Sequence, residues 1–355
     1  MAFLKLTSPH AHARISTPGV MLSVLLAMVP GILALTTFFG IGTLINLVLC
    51  SAFCVGFEAA FLFLRKRPVS FYLKDFSALV TGFLLAVALP PYSPWWMLLI
   101  GCFFAIVVAK QLYGGLGFNP FNPAMVAYVV LLISFPVQMT RWTPPFSLTA
   151  QQHIPGVLEA LRLVFLGYDP NVFDGFTGAT PLDIVRHNSG FTMAGLWAKE
   201  AILRGGQWGG VGWEWVNLCF LAGGSFLLYK KIFTWHAPVA MLSALFILSA
   251  IFYDGGSSAS HGSPMFQLMS GATMLGAFFI VTDPVSSAVS TRGRLIYCAG
   301  IGTLVFVIRA WGNYPDGVAF SVLIMNFAAP FIDYYTLPRT YGHDKANSGR
   351  IKKEN

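Results

Sequence analysis

Apolar runs close to membrane length recur along almost the whole chain, and they leave it few ways to fold. A span needs about 20 mostly apolar residues, because hydrocarbon cannot satisfy a free backbone amide or carbonyl. Such runs lie near residues 20–38, 42–64, 75–90, 95–112 and 123–137, and again near 213–229, 236–253, 265–282, 294–310 and 318–335. They predict an all-α integral membrane protein of about ten transmembrane helices; a barrel is not expected. The third and fifth runs are short for a full crossing. Composition agrees: 56% of the 355 residues are hydrophobic and 10% charged, against roughly 25% charged in soluble domains. Residues 1–17 are polar, with Lys5, His10, His12 and Arg14, and no small-residue cleavage site follows the first apolar run, so no removable signal peptide is expected.

The formal charge of +8 is a matter of topology rather than of nucleic acid. Arg65, Lys66, Arg67 and Lys74 follow the second run, Lys230 and Lys231 the sixth, Arg292 and Arg294 the eighth, and Arg339, Lys345, Arg350, Lys352 and Lys353 crowd the tail. With ten spans all of these fall on the side of the N-terminus, which makes that side cytoplasmic. The stretch 138–212 then lies outside. Four segments follow: an N-terminal arm with a first five-helix group (1–137), an outer loop (138–212), a second five-helix group (213–335) and a basic cytoplasmic tail (336–355).

The two groups resemble each other. The stretch 75–91, DFSALVTGFLLAVALPP, aligns with 268–284, LMSGATMLGAFFIVTDP, and GFNPFNPAM at 117–125 aligns with GNYPDGVAF at 312–320. Five is odd, so the second copy must be inverted in the bilayer, with sites expected where the repeats meet.

The most informative stretch is Asp174-Gly-Phe-Thr-Gly-Ala-Thr-Pro-Leu-Asp183 in the outer loop. Thr180, Pro181 and Asp183 have the form of a helix start, with a hydroxyl at the N-cap, proline at the first position and an acid at the third. Gly178 and Ala179 leave little bulk before the hydroxyl, so a large planar group or a modifying enzyme could approach the backbone. A phosphate esterified to Thr180 would sit where free amides favour it. Taken alone, the tetrapeptide reads as an ordinary N-cap in a surface loop.

Context changes that reading. Asp174, Thr177, Gly178, Ala179 and Thr180 match each fixed position of the D-x-x-[ST]-G-A-T motif, and with GFNPFNPAM, SGATMLGAFFIVTDP (270–284) and GNYPDGVAF the chain resembles the RnfD/NqrB family over nearly its whole length. Its length and short N-terminus resemble the Rnf branch. The resemblance implies an FMN joined by a phosphoester to Thr180, with Asp174, Thr177, Gly178 and Ala179 as the attachment motif. It implies a bacterial inner-membrane subunit that, not catalytic alone, relays electrons between ferredoxin and NAD-linked partner subunits, coupled to Na+ or H+ translocation. Other subunits of the complex, membrane lipid and a flavin transferase for maturation are the implied partners; no nucleic acid is.

A partial second motif, Ser270-Gly-Ala-Thr273, has Gln267 where the acid should stand and lies within a predicted span, so no covalent flavin is expected on Thr273. Its small residues suit helix packing, or close approach to a second, noncovalent flavin or riboflavin. The segment 114–123, GGLGFNPFNP, cannot be a continuous helix; it makes a tight turn with Asn capping the next helix, or contacts a flavin or ion. Glu58 is the deepest charge, open to pairing in the bundle or to a place on an ion path. Asp75, Lys110, Glu214, Asp283 and Arg309 lie near predicted ends, where anchoring or capping is the default. His10 and His12 are expected to be solvated. Trp95, Trp96, Trp213, Trp215, Trp235 and Trp311 are expected to form an interfacial belt.

The five cysteines (Cys50, Cys54, Cys102, Cys219, Cys298) form no C-x-x-C, and no G-x-G-x-x-G unit follows a strand. No metal site or nucleotide-oxidising site is therefore expected in this chain. Without the family resemblance, inverted repeats and broken spans would favour a secondary transporter; a purely structural scaffold for the complex is the third reading.

Overall fold

The computed structural model describes residues 16–148, 155–167, 177–188, 190–314 and 316–336. Asp174, His10, His12 and the basic tail beyond residue 336 lie outside these. The described residues are helical and contain no strand; their one pairing of extended segments is an isolated antiparallel bridge, Trp142 to Gly178.

The first group opens with two long helices, α1 (Thr17–Phe39) and α2 (Gly42–Leu64). After the short α3 (Val69–Leu73) comes α4 (Ser77–Ala88), then α5 (Trp95–Phe103), which runs on as a π-helical segment to Gln111, and α6 (Pro123–Ser134). The outer segment carries α7 (Pro136–Met139), a 3-10 turn (Phe146–Leu148), α8 (Val157–Leu166), α9 (Pro181–Arg186), α10 (Met193–Lys199) and α11 (Ala201–Arg204). The second group comprises α12 (Trp213–Tyr229), α13 (His236–Ile251), α14 (Pro264–Met269), α15 (Thr273–Leu275) with its π-helical continuation to Ile280, α16 (Thr291–Trp311) and α17 (Val318–Thr336).

Among the described residues four helices, α1, α2, α16 and α17, are long and apolar enough to cross a membrane. The third and fifth apolar runs become helices of twelve residues each, about 18 Å against a hydrocarbon core of about 30 Å. The eighth run is not one helix: the chain breaks at Ser270–Ala272, with Gly271 at φ +60°. Broken backbone at membrane depth is tolerated where protein satisfies it. Asn217 does so here, donating to the carbonyls of Met269 and Gly271 at 3.0 Å each and accepting from the Met274 amide at 3.1 Å.

Within the first group α2 packs on α4 and α5; within the second α13 packs on α14 and α16. The groups meet through α1 against α12 and α6 against α17. Glycines let backbones approach at these crossings. A Cβ on Gly223 of α12 would run into the Ala27 carbonyl of α1, one on Gly302 of α16 into the Met241 carbonyl of α13, and one on Gly82 of α4 would lie 3.1 Å from the Cys50 carbonyl of α2.

Candidate functional site

The segment 177–180 is pinned before it reaches Thr180. The Gly178 amide donates to the Trp142 carbonyl at 2.8 Å, and Trp142 stands in an aromatic group with Phe39 of α1 and Trp213 of α12, at ring-centre distances of 6.3 and 4.9 Å. Thr143 Oγ1 donates to the Phe39 carbonyl at 3.1 Å. The outer loop is thus anchored on the ends of the two helices that join the groups. Trp213 is 7% exposed and belongs to this anchor, which corrects its place in an interfacial belt; Trp95, Trp215, Trp235 and Trp311 are exposed.

From that anchor Thr180 starts α9. Its Oγ1 donates to Asp183 Oδ2 at 2.6 Å and accepts the Asp183 amide at 3.3 Å, while its own amide donates to Asp183 Oδ2 at 3.2 Å. This is a closed capping box with Pro181 at the first position. Two of the amides at this start are engaged within the box, those of Thr180 and Asp183, and a carboxylate sits against the hydroxyl of this six-residue helix. Thr177 and Gly178 are partly buried and Ala179 exposed.

Thr180 and Asp183 line an outer cavity of about 370 Å³ between the two groups. Its walls carry Tyr128 of α6, Trp142, Trp213, Tyr314 and the break in the eighth run through Gly271 and Ala272. A Cβ on Gly271 would stand 2.5 Å from Asp316 Oδ2 and 2.6 Å from Leu182 Cδ1, so a bare backbone is required at this wall. Behind it Arg309 fastens the break. Its Nη1 donates to the Gln267 carbonyl at 2.7 Å and its Nη2 to Thr273 Oγ1 at 2.9 Å and to Asp316 Oδ1 at 3.1 Å. Asp316 Oδ2 in turn accepts the Ala272 amide at 2.7 Å. Thr273 is fully buried, and its hydroxyl donates to the carbonyls of Gln267 and Ser270.

A second cavity, of about 280 Å³, lies between the groups and is lined by Ser77, Lys110, Asn119, Asn122 and Asp283. The second partial motif thus belongs to a segment that touches both spaces, through Gly271, Ala272 and Ile280 in the outer cavity and Phe278, Phe279 and Asp283 here. The glycine-rich turn at 114–123 has Gly114, Gly115 and Gly117 at positive φ, and Asn122 caps α6 by accepting the amides of Ala124 and Met125. At the rim of this cavity Lys110 Nζ donates to Glu58 Oε1 and to Ser77 Oγ, at 2.7 Å each, and Gln111 Nε2 donates to the same Glu58 oxygen at 2.6 Å.

These pairs correct the expectation that Lys110, Arg309 and Glu214 reach the interface. Lys110 is 2% and Arg309 5% exposed, and each is held by partners from distant parts of the chain. Glu214 is buried and its Oε2 accepts the amides of Gln207 and Trp208 at 3.0 and 3.1 Å. Asp75 does cap, accepting the Ser77 amide at 2.8 Å. No local signal marks Asn217, or Lys110 and Gln111 as partners of Glu58, because 52 and 53 residues separate those ionic and polar contacts. The five cysteines are free thiols, and no cluster of metal-ligating side chains occurs among the described residues.

Long apolar helices, short and broken helices between them, and two cavities where helix groups meet define a multi-pass, all-α membrane protein. The chain belongs to the NQR2, RnfD, RnfE family, whose pattern it matches over residues 5–342. It is similar to the D subunit of the ion-translocating oxidoreductase complex of Cellvibrio japonicus (strain Ueda107), 60% identical over 346 residues that cover 97% of this chain and 96% of that protein. Proteins of the same description from Ectopseudomonas mendocina (strain ymp) and Vibrio atlanticus (strain LGP32) are 59% and 54% identical, covering 98% and 97% of this chain and 98% and 100% of their own lengths.

Proposed function

We propose that the chain is the flavin-carrying membrane subunit of an Rnf-type ion-translocating oxidoreductase complex of the bacterial inner membrane. In this reading it relays electrons between ferredoxin and NAD-linked partner subunits, coupled to Na+ or H+ movement, and is not catalytic alone. The observation that carries the reading is the position of Thr180 on the wall of a cavity of about 370 Å³ lined by aromatic residues and by Gly271, where a Cβ would not fit. That volume lies within the roughly 300–1,000 Å³ of small-molecule sites, and a planar ring tethered at Thr180 suits walls of Tyr128, Trp142, Trp213 and Tyr314. FMN would supply one- and two-electron transfer; the residues around it would fix its position and exclude water. Asp183 must turn from Thr180 when the phosphoester is present, because both are anionic.

The finer architecture belongs to the same proposal: about ten transmembrane helices in two inverted five-helix repeats, both termini cytoplasmic and Thr180 periplasmic. Support comes from the pairing of α1 with α12 and of α6 with α17, counterparts in the two groups, and from the counterpart makeup of the cavities. The aligned turns 117–125 and 312–320 each contribute to one of them, Asn119 and Asn122 to one cavity and Asn313, Tyr314 and Asp316 to the other. The inner cavity is where a second, noncovalent flavin or riboflavin would lie. Cation movement past Glu58 would run through that cavity, which Lys110 lines. A flavin transferase is required for maturation, and membrane lipid and the other subunits surround the helices.

A secondary transporter would share the broken helices, but it has no use for a covalent flavin. The deciding experiment is in-gel flavin fluorescence of the denatured chain, parent against Thr180→Val, with an active transferase present, followed by intact mass. Fluorescence and an FMN-sized mass increment confined to the parent are expected; an unmodified parent would return the transporter reading.

A further inference from the structure

A threonine hydroxyl is a weak nucleophile, and its attack on phosphorus needs a base within hydrogen-bond reach of its proton. Thr180 Oγ1 gives that proton to Asp183 Oδ2 at 2.6 Å. The same oxygen accepts the Thr180 amide at 3.2 Å, so the carboxylate is held against the hydroxyl by two donors of one residue. His187, one further turn along, has its Nδ1 2.9 Å from the Asp183 carbonyl. Asp183 also lines two spaces at once: the outer cavity, and a wider groove of about 590 Å³ lined by Gly178, Ala179 and His187. The reacting oxygen therefore stands beside a wall shared by the cavity that would take a flavin ring and a groove open to a modifying enzyme.

An ordinary capping box explains the two amide bonds. It does not require the hydroxyl proton to point at the carboxylate, since a threonine N-cap needs only to accept. Resting on the reading of Thr180 as the flavin acceptor, we propose that Asp183 is the internal general base for its esterification, a catalytic role supplied by the substrate chain itself. The donor is a flavin dinucleotide, presented by the transferase. The Oγ1–phosphorus bond forms as the phosphoanhydride bond breaks, the nucleoside monophosphate leaves with the bonding electron pair, and the Oγ1 proton passes to Asp183 Oδ2 and then to water in the groove. Nothing is oxidised or reduced. The ester has no hydroxyl proton left, so the bond that holds the carboxylate in place is removed with the reaction, and the product's negative charge drives Asp183 away.

The test is the rate of covalent flavin incorporation into the full chain, membrane-embedded and supplied with active transferase and flavin dinucleotide, followed by in-gel fluorescence and intact mass. Asp183→Asn keeps an oxygen that can accept the Thr180 amide but cannot take a proton; incorporation is expected to slow by about 100-fold or more. Asp183→Glu keeps a carboxylate at the usual capping-box position and is expected to stay within about tenfold of the parent. Buried Leu182 and Val185 hold α9 in place, and Asp183→Ser, with a smaller side chain, is the second variant should the Asn form fail to assemble; it is expected to be as slow. Incorporation at the parent's rate in the Asn or Ser form would overturn the proposal. So would equal slowing of the Asn and Glu forms, which would assign the effect to the cap. A parent that takes up no flavin defeats the acceptor reading itself, an outcome separate from either.

Discussion

Two buried cations show why single residues matter so much in this chain. Lys110 is held by Glu58 and Ser77, and Arg309 by Gln267, Thr273 and Asp316. Burial removes hydration that only a partner can replace, so removing one member leaves an uncompensated charge and costs about 3–5 kcal/mol. Lys110→Met and Glu58→Gln are each expected to lower the thermal midpoint of the purified protein markedly. The double variant is expected to recover much of the loss, because neither charge is then left alone; a double variant as unstable as the sum of the singles would refute the coupling. Arg309→Lys keeps the charge but loses the fork that reaches several oxygens at once. It is expected to lower the midpoint as well, and to do so without affecting the Glu58 pair, which a double-mutant cycle with Glu58→Gln checks by additivity. Glu58 was legible as an unusual intramembrane acid, but its pairing partner was not. Lys110 looked like an anchor because it sits beside a glycine-rich break, and only the packing of α5 on α2 turns it inward.

At the scale of elements, the sequence marks where helices stop more surely than where they cross. Proline and asparagine pairs at 119–123 and the glycines before them ended a helix in sequence and do so in structure, with Asn122 as the cap. The break at Ser270–Ala272 was hidden inside an apolar run, because its small residues also suit a continuous packed helix. What breaks it is outside the segment: Asn217 takes two of its carbonyls and Asp316 an amide. Gly271→Ala places a side chain at φ +60° against Asp316 and Leu182; strain of about 1–3 kcal/mol is expected, read as a lowered thermal midpoint. Gly223→Val is expected to be worse, since the added atoms meet the backbone of α1 rather than a side chain that can move. Loss of assembled protein in membranes, with Gly56→Val as the tolerated control because nothing lies within 4 Å of a Cβ there, checks that difference.

For the whole molecule, the arrangement of helix groups makes a prediction about sidedness. In the proposed topology, with both termini cytoplasmic, Lys66→Cys and Ser287→Cys in a background without other cysteines are expected to react with a membrane-impermeant thiol reagent only after permeabilisation. Gly190→Cys, in the outer loop, is expected to react in intact cells or spheroplasts. The reverse pattern would invert the topology and put Thr180 on the cytoplasmic side. Hydrophobic runs and their polar breaks by themselves determined that this is a helical membrane chain, because a bilayer imposes length and backbone satisfaction on each segment separately. The motif that carries the family resemblance was likewise local, a matter of neighbouring residues around Thr180. Tertiary structure alone decided which charges are buried, where the eighth run breaks, and that Thr180, Asp183, Tyr128, Trp213 and Gly271 share one cavity. Those facts depend on contacts between segments far apart in the chain, and a sequence read along its length carries no record of which side chains such contacts bring within a few ångströms.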